Sequence, residues 1–488
     1  MMRRKLNTPM VIRIIGWLLM IEAFFMLFPT MTCVLFEEAD WLAFSICTGA
    51  TFAAGLLLAR GVKVDHRSFG KRDSFLLTSL VWVVFSVFGM LPFIFCTTPI
   101  SVSDAFFESM SGFTTTGASV LQSIEHMSHG VHLWRAMMQW IGGMGIILFT
   151  LAIIPHLNSA GGLQMFNAEV TGITVDKVRP RISQTAKSLW LLYIILTVIL
   201  VFLLWLGPMN LFESVCHAFG TISTGGFSTK SGSIAEYDSN YVKFVVLAFM
   251  FVGGVNFSLI IKTISGSWSA IWRNDVFRGY VVIVSAAYVL FALSIIAHGQ
   301  VHSWEDVTIN PIFQIVSTIT STGYTCTNFE SWGTFVLSLT FVLMFCGACA
   351  GSTSGGTKVD RVLFLVKNVR NEMHRCVYPN AVMPVRINGK VVSPDLVSRV
   401  IAFLCIYVLV MVAGGVVLTA LGMPLIDSFF SSFSCISNVG LGAGITGYGG
   451  SYELVPDVGK WVLAFLMLIG RLELFTVLVL MTKAFWHR

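Results

Sequence analysis

Apolar runs long enough to cross a lipid bilayer recur along this chain, beginning with the stretch from Val11 to Val34. A helix needs about 20 consecutive apolar residues to traverse the hydrocarbon core. Further runs occupy 41–60, 74–98, 131–155, 186–207, 241–264, 279–298, 333–350, 397–421 and 458–482, with a short one at 357–367. Charged residues make up 11% of the 488, against about 25% in a soluble globular protein. That is too little charge to cover a water-facing surface. The sequence therefore predicts an all-α integral membrane protein, not several soluble domains in series. Met1-Met2-Arg3-Arg4-Lys5 ahead of the first run resembles a signal peptide, but the run is long and no small-residue cleavage site follows. It reads as a retained span.

Charge also sets the expected orientation. With the N-terminus in the cytoplasm, 26 of the 31 Lys and Arg residues fall on the inner side: in both termini and in loops near 60–72, 156–187, 262–278 and 358–399. Positive residues accumulate on the cytoplasmic face of membrane proteins, so both termini are expected there. The net charge of +6 is dispersed in short loops with no basic arm or RNA-reading motif, so nucleic acid is not an expected partner. Cys47, Cys96, Cys346, Cys349 and Cys405 lie in apolar stretches and read as small buried hydrophobes. Cys346-x-x-Cys349 has zinc-ligand spacing but no second Cys or His pair nearby.

Four outer segments are too apolar for loops and too short to cross: 104–117, 213–226, 310–323 and 427–440. Aligned on Gly117, Gly226, Gly323 and Gly440, they read FTTTGAS, ISTGGFS, ITSTGYT and ISNVGLG. Four positions before each glycine stands Phe113, Ile222, Ile319 or Ile436. Two before it stands Thr115, Thr224, Ser321 or Asn438. Thirteen before it stands Asp104, Glu213, Asn310 or Asp427, types suited to starting a short helix. Each half-helix would aim its negative end at a polar strand whose glycine takes dihedrals other residues avoid. Four such strands around one axis can replace an ion's water shell with carbonyls. The glycines are spaced by 109, 97 and 117 residues, which leaves room for two spans per interval. The expected architecture is span, pore helix, filter strand, span, repeated four times around one pore, after two extra N-terminal helices. Small residues packing between helices would explain Gly142, Gly143 and Gly145, but not a shared pattern of capping, apolar and hydroxyl positions at four places.

These motifs identify a likeness that covers essentially the whole chain. DAFFESMSGFTTTGAS at 104–119, QWIGGMGII at 139–147, GGFST at 225–229, GACAGSTSGGTKV at 347–359, VYPNAV at 377–382 and GRLELFTVLVL at 470–480 resemble the potassium-uptake subunits of the bacterial Trk system. The wider superfamily includes the Ktr and plant HKT transporters. The resemblance implies potassium as the transported ion, no organic cofactor, a bacterial cytoplasmic membrane, a homodimer with one pore per subunit, and a cytoplasmic nucleotide-binding ring protein of the TrkA kind as regulator. It implies two N-terminal helices in 1–65 and pore units at 66–157, 158–270, 271–380 and 381–488. The filter would be Thr115, Thr116 and Gly117; Thr224, Gly225 and Gly226; Ser321, Thr322 and Gly323; and Asn438, Val439 and Gly440. Plant relatives that conduct sodium often carry serine at the first glycine; here all four are glycine, which favours potassium. Asn438 and Val439 depart from the other three strands.

Residues 347–357, GACAGSTSGGT, interrupt the third unit at membrane depth, where irregular backbone survives only against protein or a water-filled cavity. Gly351 and Gly356 invite comparison with a phosphate loop, but Thr357 precedes Lys358 and the pattern fails. A mobile plug is the reading taken, with Gly351, Gly355, Gly356 and Lys358 in the gate; the alternative is a static break. Arg471, in the middle of the last run with Glu473 two residues on, is expected by resemblance to face the pore as a barrier; the alternative is a structural ion pair. Lys358, Arg361, Lys367, Arg370 and Arg375 suit anionic lipid or a regulatory partner as well as ordinary inner-face charge. A sodium- or proton-coupled symporter with inverted repeats would alternate its half-helices between sides, and these all lie outside. A membrane enzyme would need a constellation such as a metal held by His126, His129 and His132, with Glu125 as the nearby carboxylate.

Overall fold

The computed structural model describes residues 6–62, 70–145 and 182–486, apart from 382 and 449. It opens with a helical pair, α1 (Thr8–Leu35) and α2 (Trp41–Gly61). Asn7 caps α1 by accepting from the Met10 amide at 3.3 Å, and Pro9 sits in the first turn, where a missing N–H is tolerated. The two helices approach closely at Gly16 and Gly55: a Cβ on Gly16 would lie 2.7 Å from the Gly55 carbonyl oxygen.

The chain then passes four times through one order of elements. α3 (Lys71–Gly89) and the short α4 (Leu91–Phe95) lead to α5 (Val102–Phe113) and α6 (His129–Gly143). α7 (Ile182–Trp205) leads to α8 (Leu211–Ile222) and α9 (Asn240–Gly253). After α10 (Phe257–Ile264) and α11 (Ser269–Arg273), α12 (Asp275–Ala297) leads to α13 (Ile309–Ile319) and α14 (Thr334–Cys346). α15 (Val359–Val377) and a minimal hairpin of β1 (Arg386–Ile387) and β2 (Lys390–Val391) precede α16 (Pro394–Ala420), α17 (Leu425–Ile436) and α18 (Asp457–Arg471). α19 (Phe475–Leu478) and α20 (Lys483–Trp486) complete the described chain.

Packing between passages runs in sequence order and then closes. α6 packs on α5 and α8, α9 on α8 and α13, and α14 on α13 and α17. α18 packs on α17 and returns to α5. Among the described residues, six helices are long and apolar enough to cross a membrane, or eight if each bent pair counts as one. Leu57, Val198, Phe202 and Leu409 are more than half exposed along these helices, as a lipid-facing surface requires.

Several expected spans take another form. The run 241–264 bends by 99° between α9 and α10, and 458–482 bends by 109° after Arg471. Apolar composition continues through both breaks, so hydropathy does not reveal them; the backbone does, through Gly253, Gly254 and Asn256 in one case and positive φ at Glu473 and Leu474 in the other. The short run at 357–367 is not a span but belongs to α15, which buries Val359, Asp360, Arg361 and Phe364 while Val366, Met373 and Val377 are exposed. The chain is mostly helical, as expected; the two-residue strands described form a small hairpin turned by Asn388 and Gly389, with φ of 49° and 75°. The part of 131–155 beyond Gly145 and the unit boundaries at 65/66 and 157/158 lie outside the described residues.

Candidate functional site

Two of the four short helices carry a side-chain cap. Ser101 caps α5 by accepting from the Asp104 amide at 3.1 Å. Asn210 caps α8, accepting from the Glu213 amide at 2.8 Å, and Glu213 accepts in return from the Asn210 amide at 3.3 Å. The aligned residue thirteen before each glycine therefore stands inside the first turn and is not the cap itself. Asp104, Glu213 and Asp427 are third in their helices, and Asn310 is second. A carboxylate there complements the positive helix end, leaving the negative end aimed at the polar segment.

In each segment the backbone takes the same unusual path. φ is 54° at Thr115, 53° at Thr224, 55° at Ser321 and 53° at Asn438, and 81°, 79°, 82° and 80° at Gly117, Gly226, Gly323 and Gly440. Left-handed φ is rare for a β-branched threonine and costs about 1–3 kcal/mol, so the surroundings hold it. Part of that hold repeats as well. The amides of Thr115, Thr224, Ser321 and Asn438 donate to the carbonyls of Gly112, Thr221, Thr318 and Cys435 at 3.0–3.2 Å. Those of Thr116, Gly225, Thr322 and Val439 donate to Ser111, Gly220, Ser317 and Ser434 at 2.8–2.9 Å.

The glycines also link the segments. A Cβ on Gly117 would strike the Gly225 carbonyl, one on Gly226 the Thr322 carbonyl, one on Gly323 the Val439 carbonyl, and one on Gly440 the Thr116 carbonyl. Each segment meets the next, and the last meets the first. An open cavity above this ring touches all four glycines and is walled by Ser119, Arg135, Phe227, Lys230 and Tyr452 among others.

Side chains brace the ring from behind, and of those named here only Asn438 is assigned a role from sequence. Gln139 donates to the Gly225 carbonyl at 2.7 Å and accepts from the Phe227 amide at 3.0 Å. Asn438 donates to Thr116 Oγ1 at 3.0 Å and to the Met467 carbonyl at 2.9 Å. Glu108 and Arg135 form a fully buried pair at 2.8 Å; Glu108 also accepts from Ser119 and the Val120 amide, and Arg135 donates to the Ser228 carbonyl at 3.2 Å. QWIGG contains Gln139 and DAFFES contains Glu108, so both lay within motifs already singled out. Outer ion pairs join neighbouring passages: Lys243 to Glu305 at 3.3 Å and Lys460 to Asp104 at 2.5 Å.

Directly beneath the ring lies the loop 347–358. Thr353 Oγ1 is 3.3 Å from Thr224 Oγ1 and donates to the Ile222 carbonyl at 3.2 Å. The Gly355 amide donates to Ser321 Oγ at 2.6 Å, and a Cβ on Gly355 would strike the Ser437 carbonyl. The loop thus touches the second, third and fourth segments at once. Gly347, Gly351, Gly356 and Lys358 all have positive φ, between 62° and 76°. Lys358 is buried and its ammonium donates to the Ser354 carbonyl.

Arg471 stands at the C-terminal end of α18, not within a continuous span. It donates to the Thr353 carbonyl at 2.9 Å and to the Gly142 and Gly143 carbonyls at 2.6 and 3.0 Å. The freed carbonyls at the end of α6 suit a guanidinium. Packing is therefore only part of what Gly142 and Gly143 do. Gly143 does lie tight, where a Cβ would come 2.7 Å from Ser223 and from Tyr193. Gly145, with φ of 78°, lies just past the end of α6. Glu473 pairs with Arg361 at 2.5 Å rather than with Arg471. Of the other basic residues on α15, Lys367 pairs with Asp275 at 3.1 Å and Arg375 with Glu372 at 2.6 Å. Among the described residues no group of three His, Cys, Asp or Glu is placed to hold a metal; His129 is instead paired with Glu38 at 2.7 Å and stacked on Phe36.

Comparison with known proteins gives a consistent result. The family model described as TrkH, cation transport protein, matches residues 48–488. The chain is 36% identical over 479 residues to the Trk system potassium uptake protein TrkH of Escherichia coli K12, covering 97% of this chain and 98% of that protein. It is 32% identical to the Trk system potassium uptake protein TrkI of Halomonas elongata, covering 98% and 97%. The crystal structure of the potassium transporter TrkH from Vibrio parahaemolyticus superposes with a TM-score of 0.90 at 33% identity, covering 99% of this chain and 100% of that one.

Proposed function

Because this chain belongs to the TrkH family of cation transport proteins, we propose that it takes up potassium through the ring formed by its four glycine segments. The family is one of transporters, which sets aside the membrane-enzyme reading. The observation that carries the proposal is the repeated pair of positive φ values, with each glycine against the next segment's carbonyl. Backbone of this kind, fed by four helix C-termini, offers oxygens in place of the ion's water. Four pore units, 66–157, 158–270, 271–380 and 381–488, surround one pathway, with 1–65 as a flanking pair. The coordinating residues are Thr115, Thr116 and Gly117; Thr224, Gly225 and Gly226; Ser321, Thr322 and Gly323; and Asn438, Val439 and Gly440.

The loop at 347–357 is the gate. Its contacts with three of the four segments support that role, as does Arg471 across its underside. Gly351 and Gly356 allow the turns and Gly355 the close approach to the Ser437 carbonyl, while Lys358 and Arg471 put positive charge beside the cation path. The protein resides in the bacterial cytoplasmic membrane with both termini inside, as a homodimer. A cytoplasmic nucleotide-binding ring protein acts on the gate, and exposed basic residues such as Arg370 meet anionic lipid.

Rubidium-86 uptake into proteoliposomes, with excess potassium, sodium or lithium as competitor, tests the pore. Wild type is expected to take up rubidium with potassium as the strongest competitor. Gly323→Ser, which puts a side chain against the Val439 carbonyl, is expected to lower that uptake or its selectivity at least about tenfold. Equal uptake and selectivity in a well-folded Gly323→Ser protein would remove the ring from the pathway.

A further inference from the structure

Asn256 occupies the break between α9 and α10, and its two side-chain ends do different things. Oδ1 accepts from the Leu259 amide at 3.0 Å and caps α10. Nδ2 donates to the Ala350 carbonyl at 2.7 Å, in the loop beneath the ring. Backbone bonds surround that contact: the Phe257 amide donates to Gly351 at 3.1 Å, and the Cys349 amide donates to Gly254 at 3.0 Å. Gly351 is shaped to this neighbour, since a Cβ there would come 2.6 Å from Nδ2. The first half of the loop is thus fastened to the end of α9, and Asn256 supplies the side-chain fastening. One residue serves both as the start of α10 and as a hold on the loop.

We infer that Asn256 is a positioning residue of the transport cycle: a latch that keeps the loop under the ring and moves it when α10 moves. The inference rests on the gate assigned to 347–357. Because α10 leaves α9 at 99°, a tilt of α10 displaces its capping residue and pulls at Ala350. With its backbone neighbours, this bond ties the first half of the loop to the break between α9 and α10. Releasing the bond while keeping the cap should favour the open arrangement without unsettling α10.

Two substitutions separate these roles. Asn256→Asp retains a capping oxygen but presents an acceptor to the Ala350 carbonyl. Asn256→Ser caps equally well, adds no charge and is too short to reach Ala350. Both are expected to raise rubidium-86 uptake in proteoliposomes about fivefold, the weight of one hydrogen bond. The increase should appear in the maximal rate, with half-saturation by rubidium and thermal unfolding unchanged, a pattern that damage to the fold would not give. Removal of residues 351–355 serves as the reference for an open pathway. If that removal raises uptake and the two substitutions do not, the latch is wrong and the gate stands. If the removal itself leaves uptake unchanged, the gate fails and the latch with it. An increase in Asn256→Asp alone would mark an effect of charge and would also overturn the latch.

Discussion

The ring and the layer just beneath it follow opposite rules. In the ring, four segments repeat their φ values within a few degrees and share the same two backbone hydrogen bonds. Below it, the four helices that follow the segments end in different ways. α6 stops at Gly143 with its carbonyls given to Arg471; α9 bends by 99°; α14 gives way to the loop; α18 stops at Arg471 before a 109° bend. A uniform environment suits an ion that must meet equivalent oxygens on every side. Control needs the reverse, because a part that moves must differ from the parts that hold still. In one covalent chain the two layers can diverge independently, which identical subunits cannot do.

Substitution at Arg471 should break this contrast most sharply, by acting with the opposite sign to a change in the ring. A positive charge beside an ion's path opposes a cation's passage, the more so where water is excluded. Arg471→Ala is therefore expected to raise rubidium uptake at least about tenfold, whereas Gly323→Ser lowers it. Folded Arg471→Ala protein with wild-type uptake would sink the barrier role.

Asn438 is where the ring's symmetry is weakest, and Asn438→Ser tests how much that matters. Serine restores the residue type of the third segment but loses the donation to the Met467 carbonyl. A loss of about 1 kcal/mol is expected, read as a lower thermal midpoint together with changed competition between potassium and sodium. No change in either would make the fourth segment a tolerated variant.

The smallest effect belongs to the outer pairs between passages. The Asn240 amide and then the Lys243 ammonium hold the Glu305 carboxyl below the usual carboxylate range. A depressed carboxyl contributes stability above its unfolded value, and that stability is lost as pH falls through the folded one. Between pH 7 and pH 3, wild type should lose about one or two degrees more of thermal midpoint than Glu305→Gln. Equal losses would leave the pair without a role in joining the second and third passages.

How far the sequence carried depends on which layer is considered. The ring was legible because a backbone with positive φ demands glycine at one position in each segment, and the demand recurs four times. The second positive φ was not legible: Thr115, Thr224 and Ser321 are poor choices for it, and only Asn438 hints at it. Tertiary bonds such as those of Thr353 and Gln139 supply what propensity withholds. The lower layer was legible only in the third unit, where GACAGSTSGG interrupts the apolar run. Around Asn256 and Arg471 the apolar run continues, and hydropathy reports the solvent, not whether a helix is continuous. Asn256 is one polar residue inside the run 241–264, although Gly254 and Gly253 lie two and three residues before it, as at a break between helices.

The contacts that close the ring have a consequence for how this protein is made. Asn438 and Thr116 meet across 322 residues of chain, and Lys460 reaches back to Asp104 near the same seam. During synthesis the first three segments are made before the fourth, so the ring lacks one wall until that segment arrives. The ring can close only after residues 347–357, the loop beneath it, have already been translated.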